Sequence, residues 1–180
     1  MSAEKAVQIE VACAFVQHAR NYLKNDYLPK LKRCLESLTD EQVWWRANAQ
    51  SNSIGNLLLH LSGNARQWIV SGLGGEADHR ERQQEFDERS LISRDELLAR
   101  LEQTLADVDR VLADFEVGRI LEPHQIQGTS VTALEAIFHV TEHFSMHAGQ
   151  IILITKMLTQ TDLRFYEFDG TTPITRWHSN

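Results

Sequence analysis

Two cysteines, three prolines and no apolar run near the roughly 20 residues needed to cross a bilayer mark this chain first by what it lacks. The absence of such a run excludes a helical membrane span. Cys13 and Cys34 fall in one predicted helix, which if continuous holds them about 30 Å apart, far beyond the roughly 7 Å Cα limit for a disulfide. Neither has a CxxC partner, so both are expected to be reduced, as in the cytoplasm. Basic residues are also short, 18 Lys and Arg against 25 Asp and Glu, giving a net charge of −7 and a pI of about 5.6. Without a Lys/Arg cluster to displace counterions from phosphates, nucleic acid is not an expected partner. The opening MSAEKAVQIE has no basic stretch followed by an apolar block, so no signal peptide is expected and the predicted location is cytoplasmic. Ser-His-Asp arrangements, phosphate loops and dinucleotide fingerprints are missing as well.

The remaining composition reads as helix. At 180 residues and 20.6 kDa the chain is expected to form a single domain over 1–180 with a substantial core. Residues 3–37 return Val7, Val11, Phe15, Tyr22, Leu28, Leu31 and Leu35 to one broad face, with Pro29 expected to kink or divide the helix. Thr39 opens TDEQ, a capping box for a short turn ending near Trp45. Ser53 is a good N-cap for a second helix reaching about Leu73. Ser93 with Glu96 starts a third through Leu112, and a fourth runs from about Ser130 to Leu158. Residues 74–92, including HRERQQEFDER, read as a solvated connector, 116–129 as a second connector, and 159–180 as an irregular aromatic tail, with no strand pattern of comparable strength. This predicts an all-α four-helix bundle. The first connector, about 19 residues, can extend about 60 Å against about 30 Å for the second helix, which permits a full return along the bundle and parallel second and third helices.

Chemistry concentrates in the histidines. His143 and His147 are four residues apart in HVTEHFSMHAGQIILI, and a separation of four on a helix turns the side chain by only about 40°. Two imidazoles side by side make half of a transition-metal site, and a third from a neighbouring helix would leave coordination positions open, the pattern of catalytic metals. His60, in NLLLHLSGN, is the candidate third ligand, flanked by Asn56 and Asn64 and bordering the arc of Ile54, Leu57, Leu61 and Trp68. On the fourth helix His139, His143 and His147 border an apolar arc of Leu134, Ile137, Val140, Phe144, Ala148, Ile151, Ile152 and Thr155. That arc is wider than one core requires and suggests a second buried surface, expected to be a homodimer contact shared with the first helix. Spacing alone leaves open that the histidines simply fill a core. A zinc-peptidase reading is set aside, because Phe144 rather than glutamate follows His143, and the helices carry no paired Glu-x-x-His motifs for a di-iron site.

LTDEQVWWR, SIGNLLLHLSGN and HVTEHFSMHAGQIILITKML together resemble the DinB/YfiT-like superfamily, marked by a second-helix histidine in a His-Leu-x-Gly-like context and a late His-x-x-x-His-x-Gly-Gln segment. The resemblance implies an up-down-down-up bundle, often dimeric, with one divalent metal on His60, His143 and His147, zinc or nickel being the first choices. Gly149 and Gln150 match the Gly-Gln, whereas the arginine often found before it is Ala148 here. It also implies a metal-dependent enzyme, with transfer of a low-molecular-weight thiol to a small electrophile as one activity. Hydrolysis of a small molecule and a non-catalytic, stress-associated metal-binding dimer are the alternatives. His139 is expected outside the ligand set, Glu142 at the surface, and Trp68 or the Trp177–His178 segment beside the metal's open position.

Overall fold

In the structure, a computed structural model describing residues 2–177, the first helical run is α1 (Ala3–Asn21), a π-helical turn (Tyr22–Tyr27) and α2 (Leu28–Glu36). Pro29 does not end it. The turn before the proline is widened, with the Leu28 amide donating to the Leu23 carbonyl, and the Asn25 carbonyl that Pro29 cannot serve accepts from Trp177 Nε1 at 3.1 Å. The buried stripe of α1 is not the one the large side chains suggested. Ala12, Val16, Ala19 and Leu23 face the core, whereas Val7 and Val11 are 58% and 63% exposed. Small residues allow close helix approach, so the core here takes the alanine face and leaves the valines outside.

Thr39 and Ser53 cap α3 (Asp40–Val43) and α4 (Ile54–Ala65) with complete capping boxes, to Gln42 and Asn56 respectively. A second π-helical turn, Arg66–Ser71, extends α4. Ser93 caps α6 (Arg94–Asp114) by accepting from the Glu96 amide. The fourth long helix, α7 (Ala133–Thr159), begins three residues later than Ser130, at a capping box between Thr132 and Glu135. The delay has a local cause. Residues 123–132, expected as the end of the connector and the start of the fourth helix, form a hairpin of β1 (Pro123–Ile126) and β2 (Thr129–Thr132), joined through Gln127 and Gly128 at φ 51° and 77°. Both turn residues are left-handed, which matches the twist of two-residue hairpins. The tail likewise contains a hairpin, β3 (Tyr166–Asp169) with β4 (Thr172–Thr175), rather than being irregular.

Named contacts fix the directions of the long helices. Arg20 with Asp109, Lys32 with Glu102 and Arg94 with Leu38 make the first run antiparallel to α6. Tyr27 with Phe144 and Cys34 with Thr155 make it parallel to α7. His60 with His143 and Trp68 with His139 set α4 antiparallel to α7, and Arg66 with Asp107 is consistent with α4 running alongside α6 in the same direction. The result is the up-down-down-up helical bundle, with two small hairpins added, around one apolar core that includes Leu31, Leu58, Leu61, Leu101, Ile137 and Phe144. Both cysteines are free, Cys13 exposed and Cys34 buried.

Residues 76–88 make the long return. They run antiparallel along α4, with Glu76 on Arg66, Asp78 and Arg80 on Gln67, Glu85 on His60 and Glu88 on Asn56. This segment is not merely solvated. It contains α5 (Arg82–Asp87), and it covers the site described next.

Candidate metal centre

His60 projects from the middle of α4, and His143 and His147 from successive turns of α7, across the antiparallel α4–α7 contact. All three are buried, 5%, 8% and 8% exposed. His143 Nε2 lies 3.0 Å from His60 Nε2 and 3.2 Å from His147 Nε2. Three ring nitrogens within 4.8 Å of one another, two of the pairs at 3.0 and 3.2 Å, can hold a metal ion. Ligands at about 2.0–2.1 Å from a tetrahedral ion stand about 3.3 Å from one another.

For His60 and His147 the opposite ring nitrogens explain why lone pairs face inward. His60 Nδ1 is 2.8 Å from Glu85 Oε2. Arg80 Nε donates to Glu85 Oε1 at 2.7 Å, and Arg80 Nη2 donates to Oε2 at 2.9 Å while standing 3.2 Å from His60 Nδ1. An ionised carboxylate only accepts, so His60 Nδ1 carries a proton, and both it and Arg80 donate to the same oxygen. Burial opposes the Glu85 carboxylate, but its bonds to Arg80 and His60 together hold its pKa below the ordinary value. His147 Nδ1 donates to Gln150 Oε1 at 2.7 Å. In each case the proton on Nδ1 leaves Nε2 as the donor to a metal. His143 Nδ1 is buried with no hydrogen bond among the described residues. These three residues can therefore hold a metal ion.

Burial, and then the neighbouring charges of His147, His60, His139 and Arg80, push the His143 pKa down to about 3. Burial also lowers His147, against its bond to Gln150. The unfolded chain then binds protons below about 6.5 that the metal-free fold refuses. Stability of the metal-free protein should therefore be flat in this respect above about 6.5 and fall below it, by up to about 1.4 kcal/mol per unit for His143. Urea midpoints followed from pH 7 to 4 should drop more steeply for the wild type than for His143→Ala; equal slopes contradict the assignment.

The other sequence candidates sort clearly. His139 is one turn below the triad, accepting from Asn64 Nδ2 at 3.1 Å and tilted against Trp68 with ring centroids 4.1 Å apart, so it and Trp68 pack together beside the three histidines. Burial lowers its pKa. Glu142 is exposed. Trp177, expected near the metal, instead packs on the first helical run, over Lys30 at 4.0 Å and edge-on to Tyr166 at 5.0 Å, because the β3–β4 hairpin carries it to the carbonyl freed by Pro29. His178 lies outside the described residues.

Arg80, Glu85 and Phe86 were missed because they sit in a run without helical period. Phe86 packs at a tilt against the His60 ring, with centroids 4.6 Å apart. A lone aromatic inside HRERQQEFDER was the available signal that this stretch packs against something. Gly63, one turn past His60, makes room for it: a Cβ there would stand 2.0 Å from Glu85 Oε1 and 3.0 Å from Arg80 Nε. A cavity of about 650 Å³ between α4, 76–88 and Arg100 of α6 meets the site through Gly63, Arg80 and Glu85 and does not include the triad among its walls.

Residues 10–168 match the family described as "Protein of unknown function (DUF1572)". No curated protein matches the chain. Among solved structures, a DinB-like protein from Bacillus cereus ATCC 10987 superposes with a TM-score of 0.59 at 15% identity, over 73% of this chain and 85% of that one.

Proposed function

The chain belongs to the protein family of unknown function DUF1572 and has the DinB-like helical-bundle fold, and from that premise we propose that it is a divalent-metal-dependent enzyme acting on a small molecule. The observation that carries this reading is the convergence of three Nε2 atoms, with the His60 and His147 rings oriented by Glu85 and Gln150. His60, His143 and His147 would hold one ion, zinc or nickel, since neutral imidazoles suit both. A bound ion of this kind stabilises a coordinated thiolate, or lowers the pKa of coordinated water, at neutral pH.

Three protein ligands leave the remaining coordination for substrate. The three histidines are 5–8% exposed, and Phe86 covers the His60 ring. The reaction we assign is S-transfer: a low-molecular-weight thiol attacks a small electrophile, the sulfur–carbon bond forms, the leaving group departs with its electron pair, and the thiol proton passes to solvent. Replacement with Co(II) tests this. A charge-transfer band on adding a common cellular thiol supports S-transfer. Retained metal without a band, together with water-dependent turnover, assigns hydrolysis instead. Retained metal with neither band nor turnover assigns a binding role alone.

We also propose a homodimer. Phe138, Met146, Leu153 and Met157 leave α7 with an exposed apolar stripe, 48–60% accessible, while Val7 and Val11 expose another on α1. A two-fold contact is the common way to cover such surface. Sedimentation should give a dimer; a concentration-independent monomer refutes it. The free cysteines fit a reducing compartment, which we take to be the cytoplasm.

A further inference from the structure

We propose that Glu85, locked by Arg80 and admitted by Gly63, is the positioning residue of the metal centre, and that metal loading tightens residues 76–88 onto α4. The proposal rests on the metal reading above. Three observations carry it. The His60–Glu85–Arg80 chain is short and secluded, with contacts of 2.8 and 2.7 Å and side chains 6%, 11% and 5% exposed. The part of the segment that delivers Glu85 is lightly held: α5 is six residues long with none buried, and besides Glu85 its anchors are Phe86 on His60 and the Asn56 amide, which donates to the Glu85 and Glu88 carbonyls at 2.8 and 3.2 Å, while the residues before it bond to Arg66 and Gln67 through Glu76, Asp78 and Arg80. Finally, the carboxylate occupies space that any side chain at position 63 would fill.

The coupling follows from the ring. A cation on Nε2 draws electron density from the imidazole and makes Nδ1–H a stronger donor, so the bond to Glu85 strengthens when metal binds. By linkage, whatever strengthens that contact in the loaded state must raise metal affinity to the same degree. Glu85 thus fixes the His60 tautomer, and the metal in turn holds the crossover closed. The glycine in the His60-Leu61-Ser62-Gly63 stretch acquires a physical reason, since it is the seat of the carboxylate that aims the histidine.

The test is Zn(II) competition against a chromophoric chelator, with amide exchange across 76–88 in the presence and absence of Zn(II), for wild type, Glu85→Ala, Glu85→Gln and Gly63→Ala. Wild type should gain protection over 80–88 on binding zinc. Glu85→Ala and Gly63→Ala should each weaken zinc by about 10–100-fold and lose the zinc-dependent protection. Glu85→Gln, which retains an acceptor without the charge, should fall between. In Gly63→Ala the better helix propensity of alanine offsets part of the cost of displacing the carboxylate, so the metal-free unfolding midpoint should drop less than in Glu85→Ala; an equal loss of zinc affinity at a smaller loss of stability separates positioning from a merely structural role. If Glu85→Ala fails to fold, the Gln and Gly63 variants decide the question. Zinc affinity equal to wild type in the variants, or crossover protection indifferent to zinc, overturns the proposal. A wild type that binds no zinc overturns the metal reading itself, and the proposal with it.

Discussion

Replacing His143 with alanine should leave the protein essentially without metal. His143 is the middle histidine, its Nε2 within 3.2 Å of both others, so its loss removes the nitrogen that lies between those of His60 and His147. The effect on affinity should exceed the roughly 10–100-fold that accompanies loss of an outer partner such as Glu85. His139→Ala is the control. His139 is held by Asn64 and Trp68 outside the triad, so that variant should keep its metal. Metal analysis of both proteins purified side by side checks the pair. Stoichiometric metal in His143→Ala contradicts the assignment.

The second large effect is on stability. Asn56 is fully buried, and both ends of its amide are used. Its Oδ1 accepts from the Ser53 amide at 3.3 Å, from Ser53 Oγ at 2.6 Å and from Arg46, completing the cap of α4. Its Nδ2 donates to the Glu85 and Glu88 carbonyls and so ties α5 to α4. Asn56→Ala strips several buried groups of their partners at once, and each orphaned group costs about 1–3 kcal/mol unless water reaches it. Water can reach the α5 carbonyls once 76–88 loosens, so a net loss of about 2–4 kcal/mol is expected, read from urea unfolding. The same variant should weaken metal binding, because His60 lies one turn away and loses its hold on Glu85. A loss under about 0.5 kcal/mol, typical of surface substitutions, would show that Asn56 does not anchor the crossover.

The bundle was legible because its signals are local. Thr39 and Ser53 announce helix starts through side chains that bond their own first turns, and leucine spacing carries α4 and α6. That the three histidines come together was legible for a related reason: His143 and His147 share a face by helical period, and His60 sits in a stretch resembling a known motif. What escaped depends on distant partners. The core face of α1 is chosen by which residues let another helix approach, and Ala12 and Ala19 give weaker periodic signals than Val7 and Val11. The β1–β2 hairpin turns on Gln127 adopting a left-handed conformation that glutamine rarely shows. Trp177 follows a vacant carbonyl four residues before Pro29, a relation between chain segments 152 positions apart. Arg80 and Glu85 are charged residues in a charged run, and only the fold reveals that they are buried against His60.

The claim on which the rest depends is that three imidazoles share one ion. X-ray absorption at the zinc edge on the zinc-loaded protein addresses it directly. The account predicts three nitrogen scatterers at about 2.0–2.1 Å with the outer-shell features of imidazole rings, reduced on going to His143→Ala. A spectrum fitted by oxygen ligands alone, or one unchanged by that substitution, contradicts it.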